Sequence, residues 1–182
     1  MSTRTKHHAQ TELPALIAGV SVAELLRECY QYAWEYSHDR KTKNGALFIP
    51  DWSNPGLTYG TNHLPEGYEP TSENLESRVK DKIIIHAEED VIFKSASEGT
   101  PTKGGTIICS WAPCTRCARA IISAEVSRLI VHKEAHDRTY EKYVADIEYA
   151  ICMLCTAGVE YHQWSGKVGE CQGLMDFTVW EP

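Results

Sequence analysis

The chain has 182 residues, 42% hydrophobic and 24% charged, with a formal net charge of −7. That length suits one domain and lets roughly 70% of the unfolded surface be buried without disulfide staples. No apolar run reaches the ~18–20 residues of a membrane span, and the acidic balance weighs against a nucleic acid polymer, whose binding rests on Lys and Arg.

Residues 1–14, MSTRTKHHAQTELP, lack the apolar core of a signal peptide and are expected to be a mobile arm ahead of a single domain at 15–182. His7 and His8 fall in that arm. A helix is predicted over Ser21–Tyr36, with Ser21 and Glu24 at capping-box spacing. Its apolar positions Val22, Leu25, Leu26, Cys29 and Ala33 recur at three- and four-residue steps. Ala46–Ile49 and Leu57–Thr61 read as two strands joined by the turn-rich PDWSNPG. Residues 62–82 are polar, carry Pro65 and Pro70, and read as a long loop with room for a short helix at its end.

Beyond that loop, helices and strands alternate. Ile83–Ile85 leads into a helix over His86–Ser97, followed by a strand at Thr106–Cys109 and a helix over Pro113–Ala124. A strand at Leu129–His132 precedes a helix over Tyr140–Ala157, with Gly158 as its C-cap glycine, and Val159–Gln163 is the next strand. The last dozen residues suit either a closing strand or an arm. The alternation predicts an α/β chain with a partly parallel sheet.

The seven cysteines form an odd set in a chain with a sizeable core, which points to free thiols in a reducing, cytoplasmic setting. Two segments carry chemistry: His86-Ala87-Glu88 and Pro113-Cys114-Thr115-Arg116-Cys117. Three-residue spacing puts Cys114 and Cys117 on one helical face, with Pro113 suited to the first helical position. A helix N-terminus would favour thiolates there. His86, Cys114 and Cys117 make a mixed nitrogen–sulfur set that suits zinc and leaves a fourth position open for water, as in catalytic sites. Glu88, two residues beyond a ligand, is placed to take a proton from that water and hand it to a leaving amine. The H-x-E…P-C-x-x-C arrangement is the signature of zinc deaminases.

On these residues the chain resembles the cytidine and deoxycytidylate deaminase superfamily, and within it the deoxycytidylate (dCMP) deaminases. The resemblance spans Gly45 to Trp164. It includes Cys117–Val131 after the cysteines, Ala157–Trp164 as a closing strand, and Gly60-Thr61-Asn62 with Pro65 and Gly67 as a glycine–asparagine loop. It implies a three-layer α/β/α sandwich with a mixed sheet of about five strands. The implied reaction is zinc-dependent hydrolytic attack at C4 of cytosine, turning dCMP into dUMP and ammonia. It also implies a homo-oligomer, often a hexamer, with dCTP and dTTP as effectors and magnesium accompanying an effector nucleotide. Asn62 is implied as a sugar contact, and Ala87 and Pro113 are further substrate-contact candidates beside the ligands. The chain departs from the family at Asp90, where Asn is common, at Arg116, where an acid is common, and at Ser110-Trp111, which looks more like polynucleotide cytidine deaminases.

Trp111 is read as lining the base pocket, against plain packing at a strand end. Lys94, Arg116 and Arg119 are the nearest cations in sequence to the site and are the candidates for a 5′-phosphate, against the alternative of a solvated helix face. His63 lies in the loop expected near the site. Cys152 and Cys155, inside AICMLCTAGV, read as small core hydrophobes, as do Cys29 and Cys109. Three alternatives stay open. They are deamination of single-stranded DNA or RNA, action on another small substrate (dCTP, a nucleoside or a purine), and a non-catalytic zinc module closed by a fourth ligand.

Overall fold

The computed structural model describes residues 13–53 and 56–182. In chain order it runs β1 (Leu16–Ile17), β2 (Val20–Ser21), α1 (Val22–Tyr36), β3 (Gly45–Ile49), β4 (Thr58–Thr61), α2 (Ser77–Ile83) and α3 (Ala87–Glu98). There follow β5 (Thr106–Cys109), α4 (Thr115–Ser123), β6 (Arg128–His132), α5 (Lys133–Asp137), α6 (Glu141–Ala157), β7 (Glu160–Trp164), β8 (Gly173–Met175) and β9 (Thr178–Trp180). The expected N-terminal arm lies outside the described residues apart from Leu13 and Pro14, and Leu13 packs against the core.

Period-two alternation decides the layers. Ala46, Phe48, Ile107, Cys109, Leu129 and Val131 point to one side of the sheet, where residues of α3, α4 and α6 cover them. Leu47, Ile49, Ile108 and Ile130 point to the other, against α1, Val168 and Trp180. Strands that are apolar on both faces belong in a sheet covered on both sides, and the result is the expected α/β/α sandwich. The central sheet has five strands in the order β4-β3-β5-β6-β7. β3 runs antiparallel to β4 and β5, while β5, β6 and β7 are parallel.

The boundaries follow local chemistry. Ser21 caps α1, its hydroxyl accepting from Glu24 N–H at 3.3 Å while the Glu24 carboxylate accepts from Ser21 N–H at 3.1 Å. Gly158, in the left-handed region, ends α6. Gly60 is required by a close approach. A Cβ there would lie 2.7 Å from the Ala87 carbonyl oxygen and 2.9 Å from Val91 N, so only glycine lets β4 lie against the first turn of α3.

Three sequence expectations need amending, and one left open is decided. The final residues form the β8–β9 hairpin, and the short elements β1, β2 and α5 had no periodicity to announce them. Pro113 does not open α4: Cys114 is the N-cap and Thr115 the first helical residue. His86 is likewise the N-cap of α3 and not its first residue. Cys152 and Cys155 are exposed, not core. The buried stripe of α6 is Ile147, Ala150 and Leu154, and positions 152 and 155 fall to its solvent side. Cys29 and Cys109 are buried, as expected.

Candidate active site

The crossover from β5 to β6 sets the site at the carboxyl end of β5, where α/β sheets collect ligands. After Cys109 the chain turns through Ser110–Pro113 and enters α4 with Cys114 as N-cap. α3 starts nearby because β4 and the connector after it deliver His86, with His63 and Ile85 exchanging two backbone hydrogen bonds of 3.1 and 2.9 Å. Two helix starts therefore converge.

At their meeting point His86 Nδ1 stands 3.4 Å from Cys114 Sγ and 3.3 Å from Cys117 Sγ, and the two sulfurs are 3.5 Å apart. Tetrahedral ligands held about 2.0–2.3 Å from zinc stand roughly 3.3–3.8 Å from one another. The donors thus fit one ion in spacing and in type. They are also the one cluster of three or more metal-capable side chains among the described residues, so no oxygen-rich cluster for magnesium accompanies them. Among the described residues, no fourth protein ligand joins the cluster.

The electrostatics favour a cation. A hydrogen bond from Cys117, with help from the His86 imidazole, holds the Cys114 thiol at about 4, while the shared proton and burial push Cys117 well up. Burial opposes charge on His86, but its contact with Cys114 outweighs this and raises it. Glu88 is 1% exposed, and its Oε2 has no hydrogen-bond partner. Burial lifts its carboxyl to about 7, against the pull of His86. An orphaned buried carboxylate oxygen costs about 1–3 kcal/mol or more in a merely structural role, so its place calls for a ligand or a reaction.

Glu88 opens into a cavity of about 420 Å³, large enough for a nucleoside-sized ligand. His86, Cys114 and Trp111 line it on the metal side, with Ile84 and Ile147 as apolar wall. Trp111 stands edge-on to Tyr143, ring centroids 6.0 Å apart, and its indole N–H donates to Thr139 Oγ1 at 2.9 Å, so the ring forms a fixed wall. Asp146 of α6 accepts from Thr115 N–H at 3.0 Å and from Thr115 Oγ1 at 2.8 Å, capping the helix that carries both cysteines.

The remaining candidates divide. Asn62 lines the cavity, but its amide is spent within the protein: it donates to Thr42 O at 2.6 Å and Asp39 Oδ2 at 3.3 Å, and accepts from Ser37 Oγ at 2.7 Å and Asn44 N–H at 2.9 Å. Ala87 belongs to the apolar core and Pro113 is buried, and neither side chain lines the cavity. Of the three phosphate candidates, Arg116 alone lines it, while donating to Ile84 O and Glu89. Lys94 is turned away, donating to Asp90 Oδ2 at 2.8 Å and Tyr59 O at 3.0 Å. Arg119 is exposed outside the cavity. The i,i+4 spacing of Asp90 and Lys94 was the sequence signal that Lys94 has a partner. Sequence reasoning passed over Asp39, Lys41, Lys80, Tyr143 and Asp146, which packing brings to the cavity from distant segments.

The family model for the cytidine and deoxycytidylate deaminase zinc-binding region matches residues 21–133. The chain belongs to that deaminase family. Among curated proteins it is similar to an uncharacterised deaminase encoded in the luxG 3′ region of Aliivibrio fischeri, 26% identical over 125 residues that make up 69% of this chain and 81% of the relative. The fold is shared with the dCMP deaminase of cyanophage S-TIM5 solved with dCMP and dUMP, at a TM-score of 0.59 and 21% identity, over 76% of this chain and 93% of that one. It is shared too with a diaminohydroxyphosphoribosylaminopyrimidine deaminase/reductase from Thermotoga maritima, at a TM-score of 0.56 and 15% identity, over 78% of this chain and 36% of that one. One deaminase fold thus carries different substrates, and the choice among them must be argued from the cavity. No helix of this deaminase, among the described residues, is long and apolar enough to cross a membrane.

Proposed function

We propose that this deaminase converts dCMP to dUMP and ammonia, with zinc held by His86 Nδ1, Cys114 Sγ and Cys117 Sγ. The carrying observation is the buried, unpartnered Glu88 Oε2, facing the cavity beside those three donors. Zinc held there would supply the Lewis acidity that makes a water nucleophilic near neutral pH. Glu88 takes one proton of the attacking water and delivers it to N3 of the ring, then takes the remaining hydroxyl proton at C4 and passes it to the amine, so that ammonia leaves as the C4–N bond breaks and C4=O forms. Burial raises its carboxyl above the ordinary range, which favours a group that both accepts and returns a proton. Trp111, braced by Thr139 and Tyr143, offers the base a flat wall and excludes water from the reacting face.

The volume of the cavity supports a monomeric substrate, and the carboxylates of Asp39, Asp81 and Asp146 around it oppose a polyanion. A second reading, deoxycytidine, rests on one observation: each cation lining the cavity already has a carboxylate partner, Lys41 with Asp176, Lys80 with Asp39 and Arg116 with Glu89. Product mass spectrometry on the zinc-loaded chain separates these readings, with dCMP, CMP, dCTP, deoxycytidine and a short single-stranded oligonucleotide in separate reactions and Glu88→Ala as blank. The proposal expects fastest loss of amine from dCMP. Conversion of the oligonucleotide alone, or of none of the five, would overturn it.

A further inference from the structure

The three cavity cations are not equally committed. Lys41 reaches its partner at the rim, where the Asp176 side chain is 42% exposed. Arg116 ties α4 to the connector carbonyl of Ile84 and to Glu89, which itself holds the His86 N–H, so moving it would loosen the metal ligand. Lys80 differs from both. It is 8% exposed, projects from α2 at the end of the long connector, and among the described residues its ammonium has a single acceptor, Asp39 Oδ2 at 2.8 Å. An ammonium carries three protons, so two have no partner among the described residues.

Asp39 is unusually well placed to release it. Its Oδ1 accepts from Lys41 N–H at 2.8 Å and Thr42 N–H at 3.3 Å, and its Oδ2 accepts from Asn62 Nδ2 at 3.3 Å. With the lysine gone, three donors would still hold that carboxylate. A buried ion pair is weak evidence of stability, because desolvation offsets the Coulombic gain and apolar residues of equal volume commonly serve as well. Folding alone therefore does not account for a charged pair at this depth on a cavity wall.

We propose that Lys80 is the residue that receives the 5′-phosphate of the substrate, with Asp39 as the counter-ion that keeps the ammonium in the cavity beforehand. The inference rests on the nucleotide reading above and supplies the group that selects for it. A phosphate dianion outcompetes a carboxylate already compensated by three other donors. Lys80 thus sets specificity between nucleotide and nucleoside without touching the reacting carbon.

The test is steady-state kinetics on the zinc-loaded chain with dCMP and deoxycytidine, comparing wild type, Lys80→Met and Lys80→Arg. Inorganic phosphate serves as an inhibitor of deoxycytidine turnover. In Lys80→Met the preference for dCMP, taken as the ratio of the two kcat/KM values, should fall about ten- to a hundredfold, carried mainly by the KM for dCMP. Lys80→Arg should keep most of the preference, and phosphate should inhibit wild type but not Lys80→Met. Equal losses on both substrates, or an unchanged KM for dCMP, would overturn the assignment and leave the nucleotide reading standing. Should Lys80→Met fail to fold, wild type untouched by phosphate, or Lys80→Arg without its preference, overturns it. A wild type that favours deoxycytidine removes the nucleotide reading and Lys80 together, before any substitution is made.

Discussion

The two ends of the cavity are built by opposite means. At the metal end, His86, Glu88, Cys114 and Cys117 come from two short segments, each at the start of a helix, and their relation follows from helical spacing. At the mouth, Asp39, Lys80 and Asn62 come from three separate segments and meet only when the connector closes over the sheet. On the proposed function, the metal end would perform chemistry common to any cytosine substrate, whereas the mouth would meet whatever the base is attached to. Substitutions at the metal end should therefore lower activity on all substrates alike, and those at the mouth should change their ranking.

The largest effect expected is at Glu88. Glu88→Gln keeps size and a hydrogen-bonding oxygen but cannot carry the proton, and kcat should fall by about 10²–10⁴ on dCMP and deoxycytidine alike. Zinc content, read by a metal-sensitive dye after denaturation, should stay at the wild-type level. Zinc lost together with activity would make Glu88 a ligand in place of a shuttle. A loss confined to one substrate would erase the distinction between the two ends.

Asp146 sharpens the comparison because it belongs to both ends. Its carboxylate lines the cavity, yet both oxygens are spent on Thr115 at the first turn of α4. Removing a helix cap costs about 0.5–2 kcal/mol, and partners that orient metal ligands commonly contribute ten- to a hundredfold in metal affinity. Asp146→Ala should weaken zinc binding by about tenfold in a chelator competition while leaving the ratio of dCMP to deoxycytidine turnover in place. A changed ratio with unchanged zinc affinity would move Asp146 from the metal end to substrate recognition.

The same division explains what the sequence could and could not disclose. β3, β5 and β6 are apolar on both faces and announce central strands, and Ser21 and Glu24 announce the start of α1. The clustering of His86, Cys114 and Cys117 was legible because H-x-E and C-x-x-C place these side chains at the starts of two helices. Pro113 misled by two positions, since Asp146, thirty-one residues beyond Thr115, caps the first turn of α4. Cys152 and Cys155 misled because a run as apolar as AICMLCTAGV hides its own periodicity, and only Ile147, Ala150 and Leu154 are buried. Lys80 carried no signal at all: a lysine in a seven-residue helix becomes a cavity wall only through its partner forty-one residues earlier.

The smallest effect concerns the joint between the two ends. His63 stands where the connector leaves β4, and it faces Asp90 on α3, the position where the family commonly has Asn. Its Nδ1 lies 2.7 Å from Leu64 O and its Nε2 lies 3.0 Å from Asp90 Oδ1, so both nitrogens face acceptors and the imidazolium is favoured. The close contact with the Asp90 carboxylate raises His63 above the ordinary histidine range, against burial and the nearby Lys94. Asp90 is held below the ordinary carboxylate range despite its burial, by His63, Lys94 and Thr61 N–H. The histidine's contribution is complete below about 6.5, its ordinary value, and is lost as pH rises through the raised one. The aspartate's is complete above about 3.9 and is lost as pH falls through the lowered one. The pair should therefore stabilise most between about pH 4 and 6.5. Against His63→Asn, wild type should gain on the order of 1 kcal/mol at pH 5.5, about 2–4 °C in melting temperature for a chain of this size. That gap should shrink by pH 9, where Lys94 still holds Asp90. A gap that stays constant from pH 5.5 to 9 would mean that His63 holds Asp90 as a neutral donor, with no contribution from its charge.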